Sequence, residues 1–165
     1  FYVLGNHEFS GRIATQMLLI AKRRGVRVLR GACVEVHVGG TSVAVCGMDD
    51  LYVGKEKWVR QARMLESRKA EGCSILLAHR PDYLKTYLKG GYDLVLCGHT
   101  HGGQIRLPGI NGLYAPGQGI FPRHAGGRYD FGNTTLIVGR GLVQNHLPRW
   151  GNPPEIALVT LRPRN

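Results

Sequence analysis

The chain has 165 residues, enough for one domain with a buried core, and its 43% hydrophobic and 20% charged residues exclude a wholly disordered chain. Its 22 lysines and arginines outweigh 11 acids, and the net charge of +11 favours anionic partners: phosphate esters, nucleic acid or an acidic membrane surface. No apolar run reaches about 18 residues, which excludes a helix that spans a bilayer.

Residues 1–4 read as a buried strand that stops at Gly5. The chain opens inside this strand and not at a methionine, so a segment upstream of Phe1, with any targeting signal, is expected. Ser10 is placed to cap a helix whose apolar face is Ile13, Met17, Ile20 and Ala21, with Lys22-Arg23-Arg24 at its end and Gly25 as its stop. Residues 26–29 form a short strand. Residues 32–38 and 41–46 form a hairpin about Gly39-Gly40, with Val34, Val36 and Val38 on one face beside Val43 and Val45. A second helix covers 55–70, with Trp58, Ala62 and Leu65 on one side. Residues 74–78 are a continuous apolar run suited to a central strand. A short helix over 83–89 and a buried strand over 92–97 follow, then a Gly-rich loop and residues 104–107. Residues 108–133 are rich in loops, and 134–138 and 156–161 read as late strands. Helices and strands alternate first and strands dominate the last third, which predicts a single α/β layered domain over 1–165.

Four cysteines, at 33, 46, 73 and 97, include no C-x-x-C pair and so no zinc-ribbon spacing. Paired positions in the hairpin sum to 79, which sets Cys33 opposite Cys46 in a non-hydrogen-bonded pair, where side chains lie closest. A disulfide is geometrically allowed there. Nothing in the sequence establishes an oxidising compartment, so the expectation is two neighbouring thiols.

Three polar clusters follow three apolar strands: Gly5-Asn6-His7-Glu8, then His79, then Gly98-His99-Thr100-His101-Gly102-Gly103-Gln104. Ligands of α/β sheets gather at the carboxyl ends of strands. Singly, each cluster reads as a turn or a hydrogen-bonded structural histidine. Together they bring an amide oxygen and several imidazoles to one rim, a donor set suited to zinc, manganese or iron.

G-N-H-E, a strand ending in His79, and G-H-T-H-G-G-Q resemble the calcineurin-like metallophosphoesterases. With H-R-P-D at 79–82 and P-E-I-A-L-V-T-L near the end, the chain resembles the bacterial phosphodiesterase branch of that superfamily. The resemblance implies the C-terminal part of an α/β/β/α sandwich. It implies that Asn6, His79 and His99 bind one metal and His101 another, with His7 beside them to stabilise the transition state or protonate the leaving oxygen. The implied reaction is phosphoester hydrolysis by a metal-activated water, as a phosphodiesterase or phosphatase.

The family's Asp-x-His and Gly-Asp-x-x-Asp motifs, which supply the remaining ligands and the bridging carboxylate, do not occur ahead of G-N-H-E in this chain. A truncated chain is therefore expected, lacking at least a βαβ unit of roughly 30 residues. Asn6, His79, His99 and His101 are all neutral, and two dications held by neutral groups repel strongly, so one metal or none is expected here and weak activity at best. Asp49-Asp50 align with a structural turn. Arg80 and Arg106 flank the motifs and are candidates to bind substrate phosphate. His37 reads as solvated, and His124 and His146 as loop residues.

Two other classes compete with an enzyme. One is a non-catalytic binding or assembly module, a homo-oligomer formed through the truncated edge. The other is a basic binder of nucleic acid or of a membrane surface, using Lys22, Arg23, Arg24, Arg27 and Arg30. No aromatics interleave the cations, which disfavours nucleic acid. The expected location is cytoplasmic or peripheral to a membrane.

Overall fold

The structure is a computed structural model and describes residues 1–67, 72–142 and 148–162. Its fold class is α/β. The helices are α1 (Asn6–Ser10), α2 (Ala14–Arg23), α3 (Lys55–Glu66) and α4 (Leu84–Lys89). The strands are β1 (Ala32–Val38), β2 (Thr41–Gly47), β3 (Cys73–Leu77), β4 (Leu94–Cys97), β5 (Tyr114–Ala115), β6 (Gly119–Ile120), β7 (Gly127–Phe131) and β8 (Thr134–Val138).

Six strands form one sheet in the order β1-β2-β3-β4-β8-β7. The four central strands run parallel and the two edge strands antiparallel. Apolar side chains one residue in two point at α3 and α4 and form the core: Cys46 and Met48, Leu76 and Ala78, Val95 and Cys97, and Leu136 and Val138, against Trp58, Leu65, Leu84 and Tyr87. Each large apolar side chain sealed there contributes about 1.5–3 kcal/mol. Buried Thr134 donates to the Tyr92 carbonyl at 2.6 Å, so the polar end of β8 enters the core satisfied. The parallel arrangement sends the chain out of β2, β3 and β4 at one common edge.

The hairpin has the expected register. Val38 pairs with Thr41 across Gly39-Gly40, and both glycines have positive φ, as a tight two-residue turn between twisted strands requires. Cys33 therefore faces Cys46, and the two are joined in a disulfide. The expectation of two thiols is corrected: the non-hydrogen-bonded pairing brings the sulfur atoms within bonding reach.

Four other expectations change. Residues 1–4 and 26–29 are not strands: Tyr2 makes one parallel bridge with Val28, and the Leu4 carbonyl then turns to the Asp50 amide at 3.0 Å. Leu4 is buried all the same. Ser10 ends α1 instead of capping a long helix, because Gly5 opens a helix at Asn6 and the Glu8 carboxylate reaches back to the Gly5 amide at 2.7 Å. On α2 Ala21 is buried, whereas Leu19 and Ile20, with Ile13 at its N-cap, are exposed, since α1 packs on that helix and is only 5 residues long. Among the described residues, 156–161 join no ladder, and Ile156 and Leu158 are exposed; the pairing described beside them is a single bridge from Glu155 to Gly141. The second helix closes at Glu66, and residues 68–71 of the expected span lie outside the described residues.

Candidate metal centre

His79 and His99 leave neighbouring parallel strands at the same level. The Ala78 amide donates to the Leu96 carbonyl and the Gly98 amide to the His79 carbonyl, both at 3.0 Å, so the ladder continues past β3 and β4 and fixes the two histidines side by side. Asn6 reaches them from α1. The Leu4–Asp50 hydrogen bond ties α1's leading turn to the carboxyl edge of the sheet. Glu8 sets the turn itself, accepting from the Gly5 amide and from the Tyr2 hydroxyl at 3.0 Å. Gly5 is needed for closeness: a Cβ there would lie 2.7 Å from the His79 ring.

The result is a convergence of three atoms. The Asn6 Oδ1 lies 2.7 Å from the His79 Nε2, and that Nε2 lies 3.1 Å from the His99 Nδ1. One ring nitrogen cannot serve both neighbours well, because it carries at most one proton and that proton points at the amide oxygen or at the second imidazole, not at both. A cation suits all three. Metal bonds of about 2.1 Å at right angles put adjacent ligand atoms about 3.0 Å apart, close to both spacings. Among the described residues no three His, Cys, Asp or Glu side chains gather to hold a metal; the group that converges is two imidazoles and the Asn6 oxygen.

The electrostatics suit neutral, ligating imidazoles. Burial pushes the His99 pKa down to about 3, helped by the nearby charges of Arg80 and His79. Burial also lowers His79, with Asp50 opposing and Arg80 assisting. His101 is lowered by burial and then by Arg149 and His7. The His99 Nε2 is buried with no hydrogen-bond partner among the described residues.

His101 stands apart from the trio, with no hydrogen bond to Asn6, His79 or His99 among the described residues. His7 lies exposed on α1, and its charge is felt at both His79 and His101. Arg80 is held in place: its Nε donates to buried Asp50 at 2.5 Å, and its guanidinium lies 5.2 Å from the centre of the Tyr52 ring. Arg106 donates to the Asn111 carbonyl at 2.8 Å, within its own loop. Asp49 accepts from Arg30 at 2.9 Å and from Gln61 at 2.9 Å, so both carboxylates of the Asp49-Asp50 turn serve the fold, in keeping with the structural turn that the resemblance implies.

The remaining candidates fall elsewhere. His37 is exposed on the hairpin. His124 packs edge-on against Tyr129 and Phe131. Lys22, Arg23, Arg24 and Arg27 are exposed, and Arg30 pairs with Asp49. His146 lies outside the described residues.

Two supporting residues were missed. Glu8 orients the Asn6 turn, and a glutamate three residues after Gly5 was a readable signal for it. Buried Asn152 donates to the His101 and Gln104 carbonyls from some fifty residues away, a contact with no local signal.

A family model described as calcineurin-like phosphoesterase matches residues 1–103. The uncharacterized metallophosphoesterase YkuE of Bacillus subtilis is 32% identical over 99% of this chain and 56% of its own length. An uncharacterized metallophosphoesterase of Aquifex aeolicus is 31% identical over 98% of this chain and 60% of its own length. Phosphodiesterase YaeI of Escherichia coli is 28% identical over 98% of this chain and 57% of its own length. The chain thus spans just over half the length of the curated relatives it matches.

Proposed function

This chain belongs to the calcineurin-like phosphoesterase family, a hydrolytic family that uses divalent metals, and on that premise we propose that it forms part of a metal-dependent phosphodiester hydrolase. Asn6, His79 and His99 hold one divalent ion, and His101 serves a second. The observation that carries this reading is the approach of the Asn6 Oδ1, His79 Nε2 and His99 Nδ1 to within 2.7 and 3.1 Å of one another. A bound divalent ion of manganese, zinc or iron would supply Lewis acidity toward a phosphoryl oxygen and a water ionised near neutral pH.

The chain's own residues divide the other tasks. The imidazoles of His79, His99 and His101 stay neutral and offer lone pairs, because burial disfavours their charged forms. His7, exposed next to them, is placed to hold a proton for the departing oxygen. Arg80, fixed by Asp50, adds positive charge beside the site that favours an anionic ester without touching the ligand atoms. The net charge of +11 draws such esters toward the molecule. Phosphodiesters are favoured as the substrate class by the name of the Escherichia coli relative, a phosphodiesterase.

All four proposed ligands are neutral, and the nearby Asp49 and Asp50 are engaged with Arg30, Gln61 and Arg80. Assayed as the 165-residue chain, the protein is therefore expected to bind a single divalent ion and to turn over a chromogenic phosphodiester slowly. Calorimetric titration with Mn2+ tests this. One site that is lost in Asn6→Ala, His79→Ala and His99→Ala supports the reading. No binding by the wild-type chain, or binding untouched by all three substitutions, overturns it.

A further inference from the structure

The loop that carries His99 and His101 has an unusual backbone. His99, His101 and Gln104 all have positive φ, at 69°, 50° and 59°. Residues with side chains rarely hold that region unless the surroundings enforce it. The enforcement comes from residues 150–152. The Trp150 amide donates to the Gln104 carbonyl at 3.2 Å, and the Arg106 amide donates to the Trp150 carbonyl at 2.8 Å, forming a parallel bridge between Ile105 and Trp150. Asn152, 2% exposed, then donates its Nδ2 to the carbonyls of His101 at 2.7 Å and Gln104 at 3.1 Å. These are the carbonyls of two of the left-handed residues. Because both neighbours are acceptors, the amide nitrogen must face the loop. Contact is close enough that a Cβ on Gly102 would lie 2.2 Å from the Asn152 Oδ1.

We propose that Asn152 is a positioning residue: its side-chain amide locks the left-handed backbone at His101 and Gln104 and so holds the loop that presents the His99 imidazole to the metal, with the His101 imidazole beside it. This rests on the metal-binding reading above. One amide nitrogen bonds two carbonyls three residues apart, so it fixes their separation and with it the intervening dihedrals. Those dihedrals set the direction of the His101 Cα–Cβ bond, and the Gly103 amide's bond to the Thr100 carbonyl at 2.9 Å, with the Thr100 amide's bond to the Gly98 carbonyl at 2.8 Å, carries the constraint on to His99. Without the side-chain amide, the His101 carbonyl keeps only the long bond from the Gln104 amide at 3.3 Å and the Gln104 carbonyl only that from the Trp150 amide at 3.2 Å, and the loop relaxes toward right-handed conformations.

The test uses the 165-residue chain, with Co2+ as the probe, in wild type, Asn152→Ala, Asn152→Asp and Asn152→Ser. Asn152→Asp keeps the shape but turns a carboxylate toward two carbonyl oxygens. Asn152→Ser keeps one donor and serves if the harsher variants fail to fold. Three readings are taken: Co2+ affinity, the visible absorption of bound Co2+, and the amide–α-proton coupling constants of His101 and Gln104 without metal. We expect Co2+ binding weakened at least tenfold in Asn152→Ala and Asn152→Asp, a changed absorption band, an intermediate result in Asn152→Ser, and altered couplings. Unchanged couplings overturn the proposal. So does an unchanged Co2+ affinity and band, even if the metal-free melting temperature falls, because that pattern is a structural role alone. A wild-type chain that bound no Co2+ would overturn the metal reading instead, and the couplings would still decide the part played by Asn152.

Discussion

The two faces of the central sheet are built from alternate residues of the same strands and differ in what covers them. Toward α3 and α4, Leu76, Val95, Leu136 and Val138 are sealed from solvent. Their chain neighbours Ile75, Leu77, Leu96 and Ile137, on the opposite face, are half-buried. Val3 and Leu29 cover part of that second face by packing over Gly47. Alternation in a sequence therefore says which residues share a face, while burial depends on what lies across from it. The proposed metal centre sits where both faces end, at the carboxyl edge, and is tied to each: the Asp50 carboxylate holds Arg80 and the Asp50 amide donates to the Leu4 carbonyl.

The largest loss is expected at that shared edge. Asp50→Ala leaves Arg80, whose side chain is 12% exposed, without its carboxylate, and should cost about 3–5 kcal/mol in urea unfolding. A loss below about 1 kcal/mol would show that the edge is not built around this pair. The faces are compared directly by Leu136→Ala, expected to cost about 3 kcal/mol, and Ile137→Ala, expected to cost about 1 kcal/mol. Equal losses would mean that the second face is as well covered as the first. Reducing the Cys33–Cys46 bridge, which closes a loop of 13 residues, should cost about 2–3 kcal/mol and leave the fold in place. At the thin end of the second face, Val38→Thr should change stability by less than about 0.5 kcal/mol, since Val38 is exposed.

Acid should weaken the fold, chiefly at this edge. His79, His99, His101 and His124 all have pKa values lowered by burial, His99 to about 3. Below about pH 6.5 the unfolded chain binds protons that the folded chain refuses, so the metal-free protein should lose stability as pH falls from about 6.5 toward 3. Melting temperatures in chelator across that range check it. A flat profile would mean that these imidazoles are solvated.

Much of this was readable from residues alone where the information is local. The hairpin pairing of Cys33 with Cys46 follows from Gly39-Gly40, and the core side of α3 follows from Trp58, Ala62 and Leu65. The trio of Asn6, His79 and His99 was readable because each follows an apolar segment at a common edge. What failed is information that lives in a neighbour. Ile13 and Ile20 have helical spacing, yet nothing in that spacing supplies a surface to cover them. Residues 156–161 look like a strand, yet a strand needs a partner, and none of the described residues provides one. The bonds of Asn152 to the histidine loop cross 51 residues, and Leu4 left its expected ladder for the Asp50 amide.

The central claim is that Asn6, His79 and His99 form one metal site, and anomalous diffraction from crystals of this chain grown with Mn2+ tests it most directly. The account predicts an anomalous peak within about 2.0–2.3 Å of the Asn6 Oδ1, the His79 Nε2 and the His99 Nδ1 together. A peak elsewhere, or no peak at these three atoms at saturating Mn2+, would contradict it.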